Sequence, residues 1–171
     1  MKKIMMLATL FLVTSGGTMA ADGTIRFTGS ITDQACNIDA GTADMSVDLG
    51  TISKSAINGA TGIKSAPTRF TLNMNSCPST VSGATVKFDG TPDNDNSDLL
   101  MVDNETGAAT GVGIEIADKN GTSIPLHTAS MNYTLTEGTN SLDFIARYVS
   151  TKNSVTVGPA NGTSQFTINY K

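Results

Sequence analysis

Tryptophan is absent from the 171 residues, and Phe and Tyr bring the aromatic share to only 5%. A sugar-binding site built on stacked aromatic rings is therefore poorly supplied. Histidine occurs once, at His127, so a nucleophilic Ser or Cys has a single candidate imidazole base. A zinc site, which takes four ligands, is equally short of imidazole. Lys and Arg number 11 against 15 acidic residues, and no basic stripe is available to displace phosphate counterions. That argues against a nucleic-acid binder. Charged residues make up 15% and hydrophobic residues 39%, which fits neither an acidic disordered tail nor a membrane bundle. Long apolar runs are missing too: the stretch Ile4–Val13 falls well short of the roughly 20 residues that a spanning helix needs.

That short run has a meaning of its own. Met1-Lys2-Lys3 is a basic start, the apolar stretch follows, and Thr18 and Ala20 sit at the −3 and −1 places of a cleavage site after Ala20. Residues 1–20 read as a secretory signal peptide. Its removal leaves about 150 residues, enough to bury roughly two-thirds of the unfolded chain's surface in one core. The remaining chain is more acidic, since Lys2 and Lys3 leave with the signal.

Seventeen Gly and abundant Thr point to a β-rich chain with many turns. Apolar residues alternate at Ile25, Phe27, Gly29 and Ile31, again over Phe70–Met74, and again over Gln165–Tyr170. Val86–Phe88 is a short strand ending at the turn pair Asp89-Gly90. Gly113–Ile116 and Ser123–Leu126 flank Asn120-Gly121, which predicts a hairpin with a type I′ turn. Leu142–Val149 is the most apolar segment and is expected to be a central strand, and a short helical turn is expected near Ser53–Ile57. Polar, Gly- or Asn-rich stretches separate these segments, a spacing that suggests an all-β sandwich of one domain. An alternating strand opens the chain after the signal, and the last strand runs to the chain end.

Cys36 and Cys77 are the only two cysteines. In an exported chain they favour a disulfide, with one intramolecular pairing open to them. The closed loop of about 40 residues corresponds to a stabilisation on the order of 4 kcal/mol.

Candidate sites of chemistry are few. His127 follows Pro125-Leu126 with no nucleophile-elbow motif nearby, and reads as a surface or turn histidine. Asp93-Asn94-Asp95-Asn96-Ser97-Asp98 offers hard oxygen ligands, but Asp98 stands where a calcium loop needs Gly and Asn104 where it needs a bidentate Glu. It reads as a solvated loop. Asp93 and Asp95 could imitate a glycosidase carboxylate pair, without the cleft that chemistry requires. Four Asn-x-Thr triplets decide nothing in a Thr-rich chain. No catalytic residue, cofactor or metal is expected.

Taken together, the segments resemble subunits of chaperone–usher fimbriae, in particular the type 1 major-pilin group. The resemblance rests on Gly23–Ile31 leading into Ala35-Cys36-Asn37-Ile38-Asp39, on Val47-Asp48-Leu49-Gly50, and on Phe70–Cys77. Phe144-Ile145-Ala146-Arg147-Tyr148 and the terminal pattern of Gly158, Phe166, Ile168 and penultimate Tyr170 complete it. What the resemblance implies is an immunoglobulin-like β-sandwich that is incomplete, lacking its final strand. Residues 21–34 would then be a donor-strand extension and 35–171 the pilin domain. Ile25, Phe27, Gly29 and Ile31 would form the donor face, and Gly158, Phe166, Ile168 and Tyr170 the C-terminal strand that meets chaperone and usher. The implied partners are a periplasmic chaperone, an outer-membrane usher and other pilin subunits. The implied destination, after passage through the periplasm, is an adhesive fimbrium on the cell surface, built by donor-strand exchange. The competing expectations are a monomeric secreted carbohydrate-binding sandwich and, more weakly, a secreted hydrolase.

Overall fold

The computed structural model describes residues 22–29, 31 and 34–171. It falls into two units, 1–31 and 32–171, each taken here by itself. The signal-peptide reading of 1–20 lies outside the described residues. In the first unit, residues 23–29 form no strand, contrary to the alternation of their sequence. A strand draws its stability from side-chain pairs across a ladder, and this segment has no ladder in its own unit. Ile25, Phe27 and Ile31 are all exposed, Phe27 at 92%.

The second unit contains β1 (Asn37–Ile38), α1 (Ala40–Ala43), α2 (Lys54–Ile57), β2 (Thr68–Cys77), β3 (Gly83–Asp89), β4 (Leu100–Met101), β5 (Val112–Asp118), β6 (Tyr133–Thr134), β7 (Gly138–Ser150) and β8 (Gln165–Tyr170). Two sheets result, ordered β1-β2-β7-β5-β4 and β6-β3-β8, with every pairing antiparallel. The apolar strand β7 is central, as its composition predicts. In β2 the alternation turns Leu72 and Met74 inward, where Leu72 stands opposite Leu142 and Phe70 opposite Phe144. Every residue of β5 is buried. The sheets meet through aromatic rings: Phe88 of β3 lies edge-on to Phe144 of β7 at 5.2 Å, and Phe70 stacks on Phe144 at 5.5 Å. Offset and edge-to-face rings of this kind add to the area they bury.

Cys36 and Cys77 are disulfide-bonded, tying the residue before β1 to the end of β2. The expected helical turn is α2, whose Ile57 is buried with Val102, Val112 and Val155 in a second, smaller cluster. The Asn120-Gly121 turn differs from expectation. A type I′ turn needs positive φ at both central residues, and here Gly121 alone is positive, at +90°. The cause is Asp118, whose carboxylate accepts the backbone N–H of Asn120 and Thr122 at 2.8 and 2.9 Å. This side-chain cap holds a three-residue turn, closed by the Asp118 N–H donating to Thr122 O at 2.9 Å, and the return arm pairs with β5 through a bridge, Ala117 to Ser123.

A strand-wide cleft beside the C-terminal strand

Among the described residues β8 is the last strand of its sheet, with β3 on one side and no strand on the other. Register places Phe166 opposite Phe88, Ile168 opposite Val86 and Tyr170 opposite Ala84. The β3 members of these pairs are 3%, 0% and 0% exposed, whereas all three β8 members are only half-buried. The same face is thus covered less on β8 than on β3, leaving apolar side chains half-bare beside the open edge. The backbone agrees. Lys171 and Gly83 exchange both hydrogen bonds, 2.8 Å from Lys171 N to Gly83 O and 3.3 Å in return. Bonded pairs alternate in an antiparallel ladder, which turns the N–H and C=O of Phe166, Ile168 and Tyr170 away from β3 and toward the open edge.

The facing rim is residues 44–52. Its side chains alternate, with Met45, Val47 and Leu49 half-buried and Asp44, Ser46, Asp48 and Gly50 exposed. Such a pattern belongs to a strand, yet among the described residues 45–52 make no backbone hydrogen bond to another strand. Between this rim and the segment 155–164 that leads into β8 lies a cleft of about 1120 Å³. Its floor reaches the core: Phe70, Leu72, Ile114, Ile116, Ala146 and Tyr148 come from the larger sheet and Phe88 from the smaller. Two half-buried rows therefore flank a trough whose floor is apolar and whose walls are polar.

The segment 155–164 is braced from behind. Ala109 donates to Pro159 O at 2.8 Å, Asp103 to Asn161 O at 2.8 Å, and Thr156 to Thr110 O at 3.1 Å. The Tyr148 hydroxyl rises from the floor and donates to Ala160 O at 2.9 Å. Burial, with the Asp48 charge adding to it, pushes the Tyr148 hydroxyl above its usual pKa, so it stays a donor.

The structure distributes the expected site residues unevenly. Phe166 lines the cleft, and Ile168 and Tyr170 continue its face along β8. The Tyr170 hydroxyl donates to Cys36 O at 3.4 Å, bringing the disulfide to the end of the open edge. Gly158 is outside β8, in the bracing segment, where it lines the cleft wall. Its φ is +154°, and a Cβ there would stand 2.0 Å from Gly107 O. Close backbone approach, rather than a place in the strand, explains the glycine. Ile25, Phe27 and Ile31 keep their apolar faces exposed, and a Cβ on Gly29 would meet nothing within 4 Å.

Sequence reading gave no role to Met45, Val47 and Leu49, although their alternation is visible, because a short row beside Gly and Ala carries little signal alone. It also missed Glu115, buried in β5. Lys64 bonds one carboxylate oxygen at 2.7 Å and the Arg147 guanidinium bonds the other. Burial alone would raise this carboxyl, but the two cationic hydrogen bonds outweigh it and hold it below the usual glutamate value.

Outside the cleft, His127 is exposed at positive φ (64°), with Nδ1 2.8 Å from Asp89 Oδ1. Hydrogen bonds from His127 and then Lys87 hold the Asp89 carboxyl below its usual value. Asp93 Oδ1 accepts the N–H of Asp95 and Asn96, closing the acidic stretch into a turn. Among the described residues no three His, Cys, Asp or Glu side chains are grouped to hold a metal ion.

The chain is 38% identical over its whole length to a probable major fimbrial subunit, LpfA, of Escherichia coli O157:H7, covering 98% of it. It is 39% identical to a type-1 fimbrial protein subunit of Serratia marcescens, with both chains covered in full. A solved chaperone–usher pilus, studied for the uncoiling of its rod, superposes with a TM-score of 0.68 at 25% identity, covering 88% of this chain and 96% of the other. Residues 25–171 match the family described as fimbrial protein, and the chain belongs to that family.

Proposed function

We propose that this protein is a structural subunit of a fimbrial shaft, whose work is polymerisation rather than catalysis. An extended strand from another subunit fills the cleft beside β8, and residues 21–34 of this chain serve as that strand for the next subunit. The observation that carries the reading is the half-buried row Phe166, Ile168 and Tyr170 beside an open backbone edge. Strand addition suits such an edge: backbone bonds give affinity, and alternate side chains give register. Ile25, Phe27 and Ile31 supply a matching row, each worth about 1.5–3 kcal/mol when fully buried. A one-residue slip would turn that row outward, so the cleft selects register. Because donor and cleft are different surfaces, the contact is head-to-tail and continues as a filament.

Until the donor arrives, a periplasmic chaperone fills the cleft, and an outer-membrane usher receives the subunit for the exchange. The product is a fimbrium at the cell surface. The test is thermal unfolding of a chain beginning at Asp33, with and without a peptide spanning residues 21–32. A large rise in melting temperature, with complexes that survive SDS, supports completion in trans. A truncated chain already stable and indifferent to the peptide overturns it.

A further inference from the structure

The donor segment has a second face. Between Gly23 and Ile31 the sole charged residue is Arg26, whose parity is opposite to that of Ile25 and Phe27. When the apolar face enters the cleft, Arg26 points outward over the rims. One rim, β8, carries no charge between Gln165 and Tyr170. The other carries Asp44 and Asp48, both exposed and both on the outward parity of the row Met45, Val47 and Leu49. Beyond them Lys54 lines the same cleft.

We infer that Asp44 and Asp48 form an acidic rail that receives Arg26 of an incoming copy, and so guide and register the donor strand in its acceptor. This rests on the donor-strand reading and adds to it what the apolar face does not provide. Along an extended rim the two carboxylates lie roughly 13 Å apart, at about 3.3 Å per residue. An arginine entering at either position is therefore within about one Debye length of a carboxylate throughout docking. Entry shifted toward Lys54 meets like charge instead. A one-residue slip is rejected by parity, and a two-residue slip moves the Gly29 gap; the charge row adds an outward-facing check on register to these inward ones. The contribution belongs to steering and register more than to final affinity, as an exposed interfacial charge acts mainly on the rate of association.

The test uses the full chain produced with its assembly proteins, with fibres sheared from cells and normalised to total subunit. Arg26→Glu is expected to lower fibre yield on the order of tenfold, through like-charge contact with the rail. The double variant Asp44→Arg with Asp48→Arg should do the same. The chain carrying all three changes should return to within about twofold of the unaltered protein, because each copy then offers a negative donor to a positive rail. Assembly of Arg26→Glu at the unaltered level overturns the inference. So does a triple variant no better than Arg26→Glu. A chain lacking residues 21–32 separates the two levels. If it still forms fibres, the donor-strand reading fails. If it forms none while Arg26→Glu assembles normally, the rail alone is refuted.

Discussion

Phe166 and Phe88 face each other across the β3–β8 ladder, yet Phe88 is 3% exposed and Phe166 is half-buried. The difference measures what the free subunit lacks on the far side of β8. Replacing Phe166 by Ala should therefore weaken the strand-filled state more than the empty one. Removal of the ring is expected to lower the stability of the filled subunit by about 2 kcal/mol beyond its effect on the free subunit. Thermal unfolding of both states checks this, and equal losses would place the uncovered edge elsewhere.

Gly29 interrupts the proposed donor row without a side chain. A leucine there would meet nothing in its own unit, since open space surrounds the position. Gly29→Leu should leave export and subunit abundance unchanged while blocking fibre formation, because the added bulk meets the acceptor's cleft. Electron microscopy of the cells, with subunit quantified separately, distinguishes the two effects. Normal fibres would remove Gly29 from the donor face.

Gly158 holds the cleft wall against the loop at 107–109. With Gly107 O only 2.0 Å from a built Cβ, Gly158→Ala must push the two segments apart. A cost of about 1–3 kcal/mol is expected for overpacking at such a site. Displacement of the wall should also slow donor binding, although residue 158 lies outside β8. Chemical denaturation and binding kinetics with the 21–32 peptide measure the two consequences.

Glu115 sets a pH dependence. Its folded pKa lies below the ordinary value of 4.5, so its stabilising pairing with Lys64 and Arg147 is complete above that value. The contribution is lost as pH falls through the lower, folded pKa. Glu115→Gln should cost about 3 kcal/mol at neutral pH, because Arg147 then loses its buried partner. The variant should also show a shallower acid loss than the unaltered protein. Urea titrations between pH 7 and pH 3 compare the slopes. Parallel curves would assign the acid sensitivity to Asp89 and Asp118, whose carboxyls are also held low.

Alternation of period two made β2 and β8 legible, because their side chains turn inward at one parity and outward at the other, whereas β7 was legible from its apolar composition, with the consecutive residues Phe144, Ile145 and Ala146 all buried. The two-residue strands β4 and β6 carry too little pattern to read. Asn120-Gly121 misled through its flanks: the dipeptide favours type I′, but the Asp118 carboxylate, two residues earlier, captures the turn's N–H groups first. The cleft was legible only through family resemblance. Phe166, Ile168 and Tyr170 would alternate identically in a covered strand, and nothing local records a neighbour's absence. The segment 23–31 reads as a strand for the same reason, since a sequence states a readiness to pair and not the partner. Gly158 was marked as special by its place in the terminal pattern, while its contact with Gly107 joins positions that sequence reading had no cause to connect.

The position of the disulfide bears on what a pulled filament would feel. Under the proposed donor-strand assembly, tension between neighbouring subunits would travel along the inserted strand, so the bonds it makes with β8 would be strained together in shear instead of being peeled one at a time. That force enters the donor's own subunit at its N-terminal edge, where β1 offers a ladder of only Asn37 and Ile38 against β2. So short a ladder would unzip early. Cys36 precedes it and is bonded covalently to Cys77 at the end of β2. The pull is thereby routed past β1 into a ten-residue strand paired with the central strand of its sheet. In mechanical terms the disulfide is an anchor point, and its reduction should shorten the lifetime of a stretched fibre before it alters an unstretched one.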